Sequence, residues 1–252
     1  MKTLAVIYNH NLPDMTDNLW EALKPYEGDD YDLILIDNGS SEEGKSKYTT
    51  HETGQNTYFG GALNIALDFF TMSGTYDSLL SLNNDLVIQG DNFVRSLRKE
   101  LVGDYKIISP CVLQNEKQCK WKYMHCWNST KVRDVKWVDF QAPLLHRDFI
   151  EKVKQYPDEL MYGWGQDALS GIICEDNGWK VGVVDWCPLI HYSAHTYKEG
   201  KSDLNLNEYC QRAEGGMFNY FMNAGLMDRF KKYRELSVHL FFSLLANSNC
   251  SS

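Results

Sequence analysis

The sequence predicts an α/β protein: a mostly parallel sheet flanked by helices, with a helical appendage at the C-terminal end. Three observations carry this. Apolar runs from Thr3 to Tyr8 and from Asp32 to Ile36 bracket an amphipathic stretch, a βαβ unit completed within about 35 residues. A third run, Leu79-Leu80-Ser81-Leu82, is continuous rather than alternating, as in a strand buried on both faces. Beyond about Lys198 the strand-like runs cease and only helical spacing remains. The expected division is therefore residues 1–197 for the sheet domain and 198–252 for an extension packed on it or on a partner subunit.

The first strand ends in the polar cluster Asn9-His10-Asn11. From Thr16 to Tyr26, Leu19, Ala22 and Leu23 recur at helical spacing, with Thr16 or Asp17 as the expected cap. The second strand closes on Asp37-Asn38-Gly39-Ser40, a polar turn. After a loop holding Asn56, the residues Leu63, Ala66, Leu67 and Phe70 follow the i, i+3, i+4, i+7 pattern of a helix with one buried stripe. Gly60 and Gly61 open that helix. They allow either close approach of backbone N–H groups to a phosphate or sugar, or tight helix–strand packing. The third strand stops at Asn83-Asn84-Asp85, so Asn9, Asp37 and Asp85 fall along one carboxyl edge. Open α/β sheets bind their ligands there.

Asp91 is the expected cap of a helix bearing Val94, Leu97 and Leu101, and a strand is expected from Lys106 to Leu113. The polar, aromatic stretch from 114 to 135 reads as a hairpin or excursion over the cleft rather than as core, and Trp137 to Phe140 as an alternating strand. A short helix from Arg147 to Lys154 follows. The segment from Pro157 to Asp167 opens a helix with Leu169, Ile172 and Ile173 buried and Gly178 at its C′ position. A strand from Trp179 to Val184 leads to His191. Two amphipathic helices, 208 to 227 and 229 to 246, are expected to bury Phe241, Phe242, Leu244 and Leu245. Peripheral membrane contact beside Arg229, Lys231, Lys232 and Arg234 is the alternative to a homo-oligomer or intramolecular interface.

The totals narrow the function classes. A chain of 252 residues buries a sizeable core, and a formal charge of −9 without a basic block argues against nucleic acid as a partner. No run of 18 apolar residues exists, and the first residues read as a strand rather than a signal peptide, so a cytoplasmic location is expected. The seven cysteines are odd in number and lack a paired CxxC spacing, which favours reduced thiols. Cys119, His125 and Cys126 lack a second ligand pair for zinc. In Asn83-Asn84-Asp85, alternate residues of extended chain point the same way, so the amide oxygen of Asn83 and the carboxylate of Asp85 can face one ligand or hard cation. A plain polar turn closing the strand is the other reading.

Five segments in order resemble the GT-A nucleotide-sugar glycosyltransferases, in particular the inverting family 2 and its rhamnosyltransferase-like branch. They are VIYNHN, LILIDNGSS, NTYFGGALNIAL, SLLSLNNDLVI and PDELMYGWGQDALSGIICEDNGWKVGVVDWCPLIH. The resemblance spans about residues 3 to 195 and implies a Rossmann-like GT-A fold. It implies a hexosyl- or deoxyhexosyltransferase that moves a sugar from a UDP-, dTDP- or GDP-linked donor to a glycan or glycolipid acceptor, as in polysaccharide biosynthesis. The donor would meet Asn9, Asp37, Asn56, Gly60, Gly61, Asn64, Asn83 and Asn84, with Asp37 on the base or ribose.

The resemblance further implies a Mn2+ or Mg2+ ion held by Asp85 with His191, for which His195 competes. Asp167 would be the catalytic base, against its reading as a plain helix cap, and Trp164 and Gln166 would meet the acceptor. Two departures stand out: Asn83 where many members have Asp, and Gln166 where the family has Glu. They motivate one rival, a non-catalytic sugar-nucleotide or carbohydrate-binding relative. A sugar-nucleotide nucleotidyltransferase is the other, although Asn9-His10-Asn11-Leu12-Pro13 is unlike a triphosphate loop.

Overall fold

The computed structural model describes residues 2–113, 121–192 and 200–234. Its centre is β1 (Thr3–Asn9), seven residues buried without exception. β1 pairs in parallel with β2 (Tyr31–Asp37) on one side and β4 (Ser78–Asn83) on the other. A continuous apolar run suits a strand covered on both faces. α1 (Pro13–Leu23) and α2 (Tyr58–Ser73) supply that cover, α2 through Ala62, Leu63, Ala66, Leu67 and Phe70. β3 (His51–Glu52) extends the sheet beyond β2.

Past β4 the sheet continues with β8 (Leu144–His146), β6 (Tyr105–Val112), β9 (Lys180–His191) and β5 (Leu86–Ile88), and β7 (Arg133–Val135) also pairs with β9. β6 and β9 are parallel, whereas β8, β5 and β7 run antiparallel to their neighbours. The longest ladders are thus parallel, as expected. β8 reverses direction, so the residues leading into it arrive at the carboxyl edge of β4.

Several local expectations are corrected. α1 starts at Pro13, whose fixed φ suits the first turn, and Thr16 instead lies inside it, its hydroxyl donating to Leu12 O and Asn9 Oδ1. α3 (Phe93–Arg98) follows Asn92 at φ +54, and Asp91 accepts the Tyr26 hydroxyl at 2.7 Å. Residues 137–140 form no strand. Trp137, Val138 and Phe140 are buried, but their alternation serves packing, and Trp137 Nε1 donates to Tyr233 O.

The stretch from 121 to 135 is not a loose excursion: Met124 is buried, and Arg133 binds Asp185 with both Nε and Nη2. α4 (Arg147–Val153) and α5 (Gln166–Asp176) stand where expected, and Gly178 ends α5 at φ +67.

α6 (Leu206–Asn223) opens with a capping box, Asn205 with Glu208, and buries Ala213, Met217 and Phe221. Phe221 stacks on Phe230 of α7 (Met227–Arg234) at 4.4 Å. At Gly216 a Cβ would overlap the Glu159 carbonyl, so α6 lies directly on the turn 158–160. Phe241, Phe242, Leu244 and Leu245 lie outside the described residues. Among the described residues no helix is long and apolar enough to cross a membrane.

Candidate active site

β1 and β2 are in register Asn9 to Asp37, which sets the two polar ends side by side. Asp37 is 1% exposed. Its carboxylate accepts from Asn9 Nδ2 at 2.8 Å and from the Ser40 backbone N–H at 2.9 Å. Asn9 also donates to Gly44 O, while its Oδ1 accepts from Thr16 Oγ1 at 2.8 Å and from Asn84 Nδ2 at 3.4 Å. Asn9 and Asn84 therefore face inward as the support beneath Asp37, not outward as donor surface. Asn38, which the sequence offers only as part of a polar turn, pins the next loop: its Oδ1 accepts from Thr57 N and Oγ1, and its Nδ2 donates to Tyr58 O. Asn56 joins this loop to His10 Nε2 at 3.2 Å.

Gly60 and Gly61 take the packing role of the two left open. Gly60 N donates to Met161 O at 2.7 Å, and a Cβ there would lie 2.5 Å from Leu160 O and from Gln166 Nε2. Gly61 N is spent on Thr57 O. Neither N–H is offered to a phosphate. Asn64 likewise braces backbone, with both amide atoms on Tyr156 N and O at 2.8 and 2.9 Å.

At the end of β4 the chain turns through Asn84 and Asp85 into β5, whose Leu86 pairs with His191. That pairing brings His191 Nε2 to 3.1 Å from Asp85 Oδ1, with both side chains nearly buried. A carboxylate oxygen and an imidazole nitrogen converging at one edge are a donor set that suits Mn2+. His195 lies outside the described residues.

A second group of metal-ligand type, Cys111, Cys126 and Asp185, sits elsewhere. The Asp185 carboxylate is already engaged by Arg133 and by the N–H groups of Trp127 and Ser129, so the group reads as a buried ion-pair node. Cys111, Cys126, Cys174, Cys187 and Cys210 are free thiols.

Asp167 stands in the first turn of α5, 6% exposed, where the helix dipole favours a carboxylate. Nearby Tyr156 has its hydroxyl pushed up by burial, with Asp167 and Tyr8 both adding to the effect. Asp167 Oδ1 accepts from the Ala168 backbone N–H at 2.7 Å. Gln166 is fully buried and donates to Leu160 O at 3.2 Å, which corrects its placement on an acceptor surface. Trp164 is half-buried, edge-on to Tyr209 at 6.4 Å, and Tyr162 lies against Tyr58 at 4.4 Å.

Sequence reasoning also missed Tyr8 and Gln141. The β4–β8 register pairs Ser78 with His146 and Leu80 with Leu144. Continued, it sets Asn83 opposite Gln141, and Asn83 N donates to Gln141 O at 3.0 Å. Tyr8 pairs with Asn83 on the other side. The three side chains thus form one row on a single face of the sheet.

Neither a family model nor a curated protein matches the sequence. Solved structures do match by fold. GalNAc-T7 with UDP, GalNAc and Mn2+ gives a TM-score of 0.61 at 13% identity, covering 85% of this chain and 48% of that one. The chain thus spans about half the length of GalNAc-T7. The mannosyltransferase PcManGT from Pyrobaculum calidifontis, in complex with GDP-Man and Mn2+, gives 0.55 at 12% identity over 98% of this chain and 79% of that one. S. aureus TarS gives 0.54 at 10% identity, with coverage of 88% and 72%. By architecture, the chain has the GT-A fold of the glycosyltransferases.

Proposed function

We propose that the protein is an inverting, divalent-metal-dependent glycosyltransferase, moving a sugar from a nucleotide-sugar donor to a hydroxyl of a glycan or glycolipid acceptor. The observation that carries this is the meeting of Asp85 and His191 at the carboxyl edge that also holds Asp37. Such an edge is where an α/β sheet of this kind receives a nucleotide. GalNAc-T7 with UDP, GalNAc and Mn2+, and PcManGT with GDP-Man and Mn2+, support the nucleotide-sugar and divalent-metal parts of this reading.

In this reading the buried Asp37, held by Asn9 and Ser40, accepts hydrogen bonds from the base or ribose. Asp85 and His191 would hold the divalent ion, which when bound stabilises charge on the leaving diphosphate. Asp167 takes the acceptor proton as the hydroxyl oxygen bonds to the anomeric carbon. The bond from that carbon to the diphosphate oxygen breaks as the new one forms, and its electron pair leaves with the nucleoside diphosphate. General-base help of this kind is worth about 10²–10⁴ in rate. Trp164, on the loop that leads into Asp167, is the acceptor-side residue.

The test is nucleoside diphosphate release from UDP-, dTDP- and GDP-sugars in Mn2+, with and without a glycan or lipid-linked acceptor. Release that requires acceptor supports the proposal. Binding without release would favour the non-catalytic relative, and pyrophosphate release from a nucleoside triphosphate with a sugar phosphate would favour the nucleotidyltransferase.

A further inference from the structure

Two acceptors at the carboxyl edge, Asn83 Oδ1 and Gln141 Oε1, are buried without a hydrogen-bond partner, beside the buried hydroxyls of Tyr8 and Ser81, which face each other. The four residues share one face, because Tyr8 and Gln141 flank Asn83 in register and Ser81 lies two residues before it on β4. A buried acceptor left unpaired costs about 1–3 kcal/mol. Such atoms in a native fold call for an explanation, and a ligand that donates to them is one.

Gln141 is the most telling. It is 4% exposed, and its Nε2 donates to Asp139 Oδ2 at 2.7 Å. An ionised carboxylate only accepts, so this bond fixes the amide with its nitrogen on Asp139 and its oxygen turned away. Gln141 therefore presents an acceptor, and Asn83, its partner in the backbone ladder, has the other unpaired acceptor, Oδ1. A ligand that satisfies both brings hydroxyl donors. Tyr8 closes the row with a hydroxyl, whose phenol burial holds un-ionised. Among the described residues no cationic side chain belongs to the row. The Asp139 carboxylate is bonded to Gln141, so a ligand carboxylate brought to Gln141 would meet a like charge.

Resting on the glycosyltransferase reading, we propose that Gln141, with Asn83, reads the hydroxyls of the transferred sugar and restricts the donor to neutral sugars, excluding uronates. Gln141 is then a specificity-determining residue, placed by the reversal of β8 beside the strand that carries Asn83 and leads to Asp85. Asp139 is its positioning residue.

The test is equilibrium binding in Mn2+ of UDP, dTDP and GDP, of their neutral sugar conjugates (UDP-glucose, dTDP-rhamnose, GDP-mannose), and of UDP-glucuronate. The wild-type protein is expected to bind at least one neutral conjugate about tenfold more tightly than its nucleoside diphosphate, with no such gain for UDP-glucuronate. Gln141→Met and Gln141→Leu, similar in volume, should erase the gain while leaving nucleoside diphosphate affinity unchanged. That unchanged affinity is also the check that each variant is folded. Independently of any variant, a monodeoxy form of the preferred sugar conjugate should lose the gain with the wild-type protein. A gain that survives both Gln141 substitutions, or a comparable gain for UDP-glucuronate, overturns the proposal while leaving the transferase reading standing. If no nucleoside diphosphate or conjugate binds, the transferase reading fails, and this inference with it.

Discussion

His191 Nε2 stands 3.1 Å from Asp85 Oδ1, brought there by the antiparallel pairing of Leu86 with His191 at the outer edge of the sheet. If the pair holds the divalent ion, Asp85→Ala and His191→Ala should each abolish the Mn2+-dependent part of donor binding. The readout is thermal shift with nucleotide sugar in and out of Mn2+. A bound ligand at about 100 times its dissociation constant stabilises by about 2.7 kcal/mol, and each variant should lose that increment. An undiminished Mn2+-dependent shift in both would remove the metal assignment.

Asp167→Asn preserves size and helix-start chemistry, so stability should barely change. Acceptor-dependent transfer should fall by about two to four powers of ten with donor affinity intact. Near-normal turnover in single-turnover assays would reduce Asp167 to a structural cap.

Asn9 separates support from contact. Its amide serves Asp37, Gly44, Thr16 and Asn84 in a fully buried network. Asn9→Ala leaves several of these groups unpaired and should cost about 2–4 kcal/mol in chemical denaturation. A residue that only touched the donor would cost affinity and almost no stability.

Gly60→Ala tests the packing role of the paired glycines. The added methyl would meet Leu160 O, Met161 O and Gln166 Nε2 at 2.5–2.7 Å. Overpacking of this kind costs about 1–3 kcal/mol. Melting should show the loss, and the donor affinity of the folded fraction should hold. A wild-type melt with donor affinity cut tenfold would restore the phosphate role.

Stability should also carry a histidine-dependent step in pH. His146 Nδ1 accepts from Asp148 N at 3.1 Å at the start of α4. Burial, aided by the Lys106 charge, holds its pKa below the ordinary 6.5. A depressed histidine binds fewer protons folded than unfolded, so its contribution is complete above 6.5 and is lost as pH falls through the folded value. Unfolding free energy measured from about pH 8 to pH 5 should therefore drop at the acid end. His146→Asn, which caps without titrating, should flatten that drop. An identical pH profile in the variant would mean that other groups set it.

The strand ends were legible because an apolar run broken by Asn or Asp marks a carboxyl edge, and three such breaks share one sheet side. Asp85 and His191 were paired from that logic and the resemblance, and the fold places them together. The same side-chain types misled elsewhere. Asn9, Asn64 and Gly60 have ligand-binding chemistry, yet each is spent on backbone or neighbouring side chains, and composition does not distinguish these uses. Gln141 stayed hidden for a different reason: the alternation of Trp137 to Phe140 suggested a strand there, whereas the strand begins later, at Leu144. Tyr8 lay inside an apolar run and read as core.

The close seat of Gly216 on the Glu159 carbonyl gives the C-terminal helices a second meaning. Tyr209 Oη donates to Tyr162 O at 2.7 Å, and Met217 and Phe221 crowd Gly165, so α6 grips both sides of the loop that delivers Asp167. The same loop is also held by α2, where Gly60 N donates to Met161 O and Asn64 braces Tyr156. α6 is thus the outer of two clamps, and it carries none of the residues assigned to the nucleotide. Changes on the inner face of α6 should therefore retune which acceptors are served while donor choice stays fixed. In the descent of such a protein, the two selectivities could drift apart, each following its own region of chain.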